Sequence, residues 1–358
     1  MEMKEFKIVP VERKSKIELP ENLIFGKMFT DHIFEMDYDS SKGGWQTPTI
    51  KKFENLSISP AAMVFHYGQA LFEGMKAYKH EDGRVALFRP EKNVERMNNS
   101  ARRLCIPELD PELALQAIIE LVKIDKDWIP TKPGYSLYIR PFMIATEPCF
   151  GVRPAETYKY MIILSPVGPY YPEGFKPVPI MVTDRYVRAV RKGTGEAKAA
   201  GNYAASLRAQ NEAKEEHYTQ VLWLDGIEQK YIEEVGAMNI FVRFKDEVAT
   251  PKLSGSILPG ITRMSVIELL KDWGYNVKER LISIDEVDEA YDKGNLLEIF
   301  GTGTAAVISS ISKLKYHDKE LKFSDTEAGE LGTKLYEELT GIQFGRLPDK
   351  HSWIKFID

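Results

Sequence analysis

Cysteine is scarce in this chain. Its 358 residues hold two, Cys105 and Cys149, in separate segments. They form neither a disulfide framework nor a metal-ligand spacing, and they fit a reducing compartment. A cationic surplus is missing as well: 48 Lys and Arg stand against 53 Asp and Glu, a formal net charge of −5, which argues against a nucleic-acid partner. No apolar run approaches the length of a membrane span. Residues Met1 to Pro20 mix Glu and Lys without an apolar block, so they read as neither a signal nor a transit peptide. The expected protein is cytoplasmic and globular, with no metal, no membrane and no nucleic acid. Internal repeats and low-complexity tracts are absent. So is a nucleotide fingerprint: Lys192-Gly-Thr-Gly195 lacks the Walker spacing, and no Gly-x-Gly-x-x-Gly opens a helix.

What is present suits an ordinary globular chain, with 43% hydrophobic and 28% charged residues and a length that suits two domains. Gly83 after Asp82, between Lys76-Ala-Tyr78 and Val85-Ala-Leu-Phe88, predicts a hairpin. Val94, Met97, Ala101 and Leu104 at helical spacing predict a helix over 91–104, ended by Pro107. Met161 to Leu164 reads as a buried strand. The stretch from Pro166 to Pro179 is rich in proline and glycine and carries Tyr170, Tyr171 and Phe175; it reads as a connector that covers something. Beyond it a helix is expected over 203–216, then a hairpin whose first strand is Val221–Leu224 and whose turn is Asp225-Gly226. Gly260-Ile-Thr262 opens another helix, with Val266, Ile267, Leu269, Leu270 and Trp273 as its buried stripe and Gly274 as its stop. Leu296 to Phe300 is a strand and Gly301-Thr-Gly-Thr304 the turn after it. Strands and helices mix without regular alternation, so the fold class is α+β.

The chemistry concentrates between Glu196 and Asn239. Lys198 sits among Ala197, Ala199, Ala200 and Gly201, with no bulk to screen its amine from a carbonyl compound. A lysine amine becomes nucleophilic where its surroundings disfavour the proton. Glu234 follows a hairpin and can hold a proton on a pyridine nitrogen, which deepens an electron sink; this pair points to pyridoxal 5'-phosphate. Glu233 is adjacent and faces the other side of a continuous strand. Leu258-Pro-Gly-Ile-Thr262 offers free amides at a helix start, and Gly301–Thr304 a compact anion nest. Arg96 lies off the apolar stripe of its helix, where it can clamp a phosphate. The aromatic residues Phe25, Tyr67, Phe72, Tyr138 and Tyr170 suit a pocket for a branched apolar side chain joined to a carboxylate.

These residues resemble the branched-chain amino-acid aminotransferases, pyridoxal-phosphate enzymes of fold type IV. The resemblance runs through Phe25-Gly-Lys-Met-Phe-Thr-Asp-His32, His66-Tyr-Gly-Gln-Ala-Leu-Phe-Glu-Gly-Met-Lys-Ala-Tyr78, Leu87-Phe-Arg-Pro90 and Leu137-Tyr-Ile-Arg-Pro141. It continues in Gly201-Asn-Tyr203, Glu234-Val-Gly-Ala-Met-Asn239, Leu258-Pro-Gly-Ile-Thr-Arg263 and Glu298-Ile-Phe-Gly-Thr-Gly-Thr304. It implies a two-domain architecture like that of D-amino-acid aminotransferase: a smaller N-terminal α/β domain over 1–169, an interdomain loop over 170–179 and a larger cofactor-binding domain over 180–358. It also implies a homodimer, with sites near the subunit interface and residues from both chains. Lys198 would form the imine and shuttle the proton, Tyr203 would bond the cofactor phenolate, and Glu234 would pair with the pyridine nitrogen. Arg96, the Ile261 and Thr262 amides and Thr304 would hold the phosphate. Phe25, Tyr67, Phe72, Tyr138 and Tyr170 would line the substrate side. Tyr67 and the Thr304-Ala305 turn would receive the α-carboxylate, and Arg140 with Tyr138 the side-chain carboxylate of glutamate.

The implied reaction moves the amino group of leucine, isoleucine or valine to 2-oxoglutarate by ping-pong chemistry. A D-amino-acid transaminase or an aminodeoxychorismate lyase of the same fold shares Lys198 and Glu234 but needs another substrate pocket. A phosphate-ligand binder without catalysis is the third alternative. Some members of the family carry a Cys-x-x-Cys redox switch after the Gly-Thr turn. Here those positions hold Ala306 and Ser309, so no thiol regulation is expected there.

Overall fold

Along Ser136–Ala145 every second residue is apolar and fully buried: Leu137, Ile139, Met143 and Ala145 join one core, while Tyr138, Arg140 and Phe142 point to the opposite face. This period of two is what a strand with one packed face requires. The computed structural model describes residues 6–9, 19–170 and 175–357. Most of the segment ahead of Pro20 and Tyr171 in the connector therefore lie outside the described residues. The described residues up to Tyr170, with Ala197–Ala200 and the tail from Gly341, form one compact unit; those from Phe175 to Glu196, with Gly201–Thr340, form a second. The chain is α+β.

In the first unit the central strands run Thr49–Lys52, His32–Asp39, Thr157–Val167, Ser136–Ala145, Met75–Lys79 and Val85–Phe88, and Ile354–Phe356 lies at the edge. The expected hairpin at Gly83 joins two of them, with that glycine in the left-handed region at φ 86°. The helices Pro90–Arg103 and Pro111–Ile124 lay Val94, Met97, Leu113 and Ile118 on the core face. The first of these ends at Arg103, ahead of Pro107, because Cys105 takes a left-handed φ of 54°. Two excursions return to this unit from later sequence. Ile354–Phe356 pairs with Val85–Phe88, and Ala199 bridges to Leu71. A sequence boundary at 180 does not anticipate either pairing.

The second unit is a sheet that closes on itself. Val178–Thr183 pairs in parallel with both Gln220–Leu224 and Val307–Tyr316. Leu296–Gly303, Met238–Phe244 and Ile232–Val235 complete the ring. Ile180, Leu222, Val235, Ile240, Ile299 and Leu314 pack together in its core, and closure leaves fewer edges open to pairing with other chains. Two local expectations change here. The helix over 203–216 is two pieces, Ala200–Ala204 and Leu207–Glu215. The Ser206 hydroxyl donates to the Tyr203 carbonyl at 2.7 Å, a local bond that competes with the helical ladder. The turn at Asp225-Gly226 is longer than two residues. The Asp225 carboxylate accepts the amides of Ile227, Glu228, Lys230 and Tyr231 and so organises the whole loop. The helix Ile261–Asp272 begins and stops where Gly260 and Gly274 place its ends.

Candidate functional site

Lys198 belongs to the first unit. Its backbone is fixed on both sides: its N–H donates to Ser100 Oγ at 2.9 Å, and its carbonyl accepts the Phe72 amide at 3.1 Å. Ser100 is fully buried and donates in turn to the Arg96 carbonyl at 2.9 Å. The small neighbours Ala197 and Ala199 are buried, so the backbone lies close against the strand Ala70–Phe72 and the long side chain projects from it. Lys198 Nζ stands 4.7 Å from the centre of the Phe72 ring, and the Arg140 guanidinium 4.5 Å from the same ring. Phe72 is thus shared by the candidate nucleophile and the candidate carboxylate binder.

Arg140 continues into an aromatic group. Its Nη2 donates to Tyr138 Oη at 3.1 Å. Phe25 meets Tyr138 edge-on at 4.8 Å, and Tyr170 lies 6.1 Å from Phe25. Arg140 Nε is buried and meets no acceptor among the described residues; an orphaned cationic donor of this kind suits an anionic ligand. Five residues assigned to the substrate side therefore gather in one place. Tyr67 stands apart. It ends the helix Met63–Tyr67, is 40% exposed and donates its hydroxyl to the Phe150 carbonyl.

Lys76 was not foreseen. It pairs in register with Tyr138, on the face that carries Arg140, and is nearly buried. Burial pushes its amine down to about 8. The folded state therefore disfavours the charged amine, and stability should rise as pH climbs from about 8 toward the amine's ordinary value of 10.5. We expect Lys76→Met to raise stability at pH 7 by roughly 1–3 kcal/mol and to flatten that rise. Urea unfolding at pH 7 and pH 9.5 checks it; equal midpoints for both proteins at both pH values would contradict it.

Arg96 is engaged by a residue that sequence reasoning passed over. Glu73, fully buried, takes Arg96 Nε at 2.8 Å and Nη2 at 2.9 Å, and accepts Asn93 Nδ2 at 2.8 Å. Burial alone would raise the Glu73 carboxyl. The charge and hydrogen bonds of Arg96 outweigh it, Lys198 adds to them, and the group is held below the usual carboxylate range. The Nε–Nη2 edge of the guanidinium is thereby fixed. Glu73 left no signal in the sequence because a buried acid in the short link between the strands Ala70–Phe72 and Met75–Lys79 becomes legible only when its partner is placed.

Glu234 belongs to the second unit and is buried. Its Oε1 accepts the Leu258 amide at 2.7 Å, and its Oε2 lies 3.2 Å from Arg188 Nε. Glu233 does not face away from it. Trp223 pairs with Glu234 while Leu224 pairs with Ile232, so Glu233 is the extra residue of a β-bulge. A bulge re-aims side chains, and Glu233 accepts the Ser256 hydroxyl from the same segment that serves Glu234. Burial raises the Glu233 carboxyl against the opposing pull of Ser256 and Arg188.

Two residues beyond Leu258 the helix Ile261–Asp272 begins at Gly260, which gives it no side-chain cap. Asn239 Nδ2 donates to the Leu258 carbonyl at 2.9 Å, and a Cβ on Gly260 would collide with the Asn239 amide. Glycine is therefore required at the place where the Ile261 and Thr262 amides open the helix, and these two residues suit an anion. The nest expected over Gly301–Thr304 needs correction. Extended strand runs through Gly303, with Gly301 paired to both Ile240 and Ser309, so of the four only Thr304 lies in the turn with Ala305 and Ala306. Val307 closes that turn at φ 63°, a strained conformation for a β-branched residue. Tyr203 lies in the short helix Ala200–Ala204.

Residues 70–314 match the family model for amino-transferase class IV. The chain is 59% identical to the branched-chain-amino-acid aminotransferase 2 of Bacillus subtilis (strain 168), over 93% of this chain and 92% of that one. It is 47% identical to the branched-chain-amino-acid aminotransferase of Mycolicibacterium smegmatis, over 92% and 91%. Among solved structures, the T.th. branched-chain amino acid aminotransferase with pyridoxamine 5'-phosphate superposes with a TM-score of 0.74 at 28% identity, covering 90% of this chain and 98% of that one. The Escherichia coli branched-chain amino acid aminotransferase shares the fold with a TM-score of 0.77 at 24% identity, covering 92% and 100%.

Proposed function

Because the chain belongs to the class IV amino-transferases, and among them to the branched-chain amino-acid aminotransferases, we propose that it moves the amino group of leucine, isoleucine or valine reversibly to 2-oxoglutarate. The observation that carries most weight is the joint at Leu258–Gly260. One loop ties a buried carboxylate, Glu234, to an uncapped helix start, and those are the two fixed charges a phosphorylated pyridine needs. Pyridoxal 5'-phosphate, when bound, supplies an aldehyde that takes up amines and a ring that stores the electron pair left when a substrate Cα–H bond breaks.

The chain's own residues do the rest. Lys198 Nζ would hold the cofactor's aldehyde carbon until the substrate amine displaces it, and the lysine amine so released would carry the proton between the substrate's α-carbon and the cofactor. Glu234 holds a proton on the ring nitrogen, and Tyr203 donates to the phenolate. Arg96, the amides of Ile261 and Thr262, and Thr304 would bind the phosphate. Phe25, Phe72, Tyr138 and Tyr170 orient the substrate side chain, and Tyr67 with the Thr304-Ala305 turn takes the α-carboxylate. Arg140, whose Nε lacks an acceptor among the described residues, takes the side-chain carboxylate of glutamate with Tyr138. One pocket then serves an apolar and an acidic substrate.

The reading includes a homodimer. Phe65, Tyr67, Phe150 and Val152 are 61%, 40%, 69% and 84% exposed, around the helix Met63–Tyr67 and the loop that touches it. An exposed apolar patch of this kind suits a protein interface, and it would let Tyr67 serve the other subunit's site. A cytoplasmic home is supported by the free Cys105 and Cys149. No helix among the described residues is long and apolar enough to cross a membrane.

The visible spectrum of the purified protein, before and after L-leucine, tests the reading directly: a cofactor band that L-leucine converts and 2-oxoglutarate restores is expected. An unchanged spectrum with both substrates would end it. Glu234→Ala should keep the cofactor bound yet slow Cα–H cleavage on the order of 10²- to 10³-fold. The deuterium isotope effect with α-deuterated leucine should grow accordingly, and near-normal turnover would refute the role given to Glu234.

A further inference from the structure

We propose that Arg188 is a positioning residue that keeps Glu234 ionised and aimed, so that the shared proton stays on the cofactor's ring nitrogen and does not pass to the carboxylate. The inference rests on the assignment of Glu234 to that nitrogen made above.

Arg188 comes from the loop after the strand Val178–Thr183 and is nearly buried. Its Nε stands 3.2 Å from Glu234 Oε2 but is not aligned for a hydrogen bond, so the contact is one of charge with charge. The guanidinium is anchored elsewhere. Nη2 donates to the Ser256 carbonyl and, at 3.4 Å, to the Gly195 carbonyl. Gly195 cannot be replaced without moving this joint, because a Cβ there would collide with the Ser256 carbonyl. A single cation therefore ties the Glu234 carboxylate to the Ser256 backbone and to a residue three positions before Lys198 in the chain.

The charges near Glu234 explain why an arginine is needed. Glu233 lies beside it on the same strand, and the charges of Glu234 and of Asp225 in the preceding turn both act on Glu233. Burial and neighbouring acids disfavour a further negative charge at this place. Opposing them are the Leu258 amide on Oε1 and the Arg188 charge at Oε2. Glu233 is itself shifted toward its neutral form by burial, which leaves the Arg188 charge mainly to Glu234. A proton shared between a carboxylate and a pyridine nitrogen rests on the stronger base. Arginine does not titrate in proteins and weakens the carboxylate as a base, so the nitrogen keeps the proton.

The test uses holoenzyme reconstituted with cofactor carrying ¹⁵N in the ring. In the wild type the resonance should sit at the pyridinium position. In Arg188→Gln, which keeps a donor for Ser256 but loses the charge, it should move most of the way to the neutral pyridine position, with kcat down by about tenfold or more. Arg188→Lys should restore the pyridinium. A pyridinium resonance in Arg188→Gln overturns the proposal. Glu234→Gln separates the two claims: if it too leaves the nitrogen protonated, the assignment of Glu234 has failed and not the role of Arg188 alone. A second measurement needs no variant. In cofactor-free wild-type protein, the ¹³C-labelled Glu234 carboxyl should titrate below the ordinary value of about 4.3; titration above it overturns the proposal even if Arg188→Gln does not fold.

Discussion

Lys198→Ala is expected still to bind pyridoxal 5'-phosphate but to lose turnover by about 10⁴-fold or more, because under the proposed mechanism it removes both the covalent partner of the cofactor and the group that moves the α-proton. The structure makes this a clean experiment. The bonds from position 198 to Ser100 and Phe72 are made by its N–H and carbonyl, which alanine keeps. Ala197 and Ala199 already pack there without bulk. The variant should thus fold normally, hold cofactor through its phosphate contacts and lack the band of the lysine-bound form. Single-turnover kinetics with L-leucine, with and without added methylamine as a small replacement amine, check it. Turnover within tenfold of wild type, or a borohydride label found on another lysine of the parent protein, would remove Lys198 from the mechanism.

Arg96→Met will destabilise the first unit by roughly 3–5 kcal/mol, the usual cost of removing one partner from a buried ion pair. Glu73 is fully buried, and Arg96 supplies both its charge partner and two of its hydrogen bonds. The sign of the pH dependence distinguishes this from simple loss of packing. In the wild type the Glu73 carboxyl is held below its ordinary value of 4.5. Its stabilisation is present above that value and disappears as pH falls through the depressed folded one. Without Arg96, burial dominates and raises the carboxyl, so the deficit should shrink as pH falls and Glu73 takes up a proton. Urea unfolding at pH 7.5 and pH 5 reads this directly, and a deficit independent of pH would show that the pair is not ionic in the way described. Adding Glu73→Gln to Arg96→Met should recover a good part of the loss, since an amide is far less costly to bury than an orphaned charge. The same variant should bind cofactor more weakly if Arg96 also holds phosphate.

Much of the local architecture could be read in advance. The hairpin at Gly83, the helix from Gly260 to Gly274 and the strand at Met161–Leu164 are written in periodicity and glycine placement, which act over a few residues. The expectations that moved failed where another partner competed. The helix near Tyr203 breaks because Ser206 bonds back to its carbonyl. The Gly301–Thr304 nest dissolves into strand because Ile240 and Ser309 pair with Gly301. Glu233 turns toward the same loop as Glu234 because an extra residue is accommodated opposite Trp223 and Leu224. Propensity carries no information about any of these.

The one-dimensional order of residues determined the family, through the many motifs that place the chain among the aminotransferases, and it marked the candidates for the proposed chemistry: a lysine among alanines, an acid after a hairpin and a glycine at a helix start. Those features depend on side-chain identity and short spacing, and both are fixed by covalent order. Only the folded chain decided which groups control them. Glu73 claims one edge of Arg96, Ser100 and Phe72 clamp the backbone of Lys198, and Arg188 reaches Glu234 from 46 positions upstream. Charges that far apart in sequence interact only when folding brings them within a few ångströms and excludes the water that would screen them.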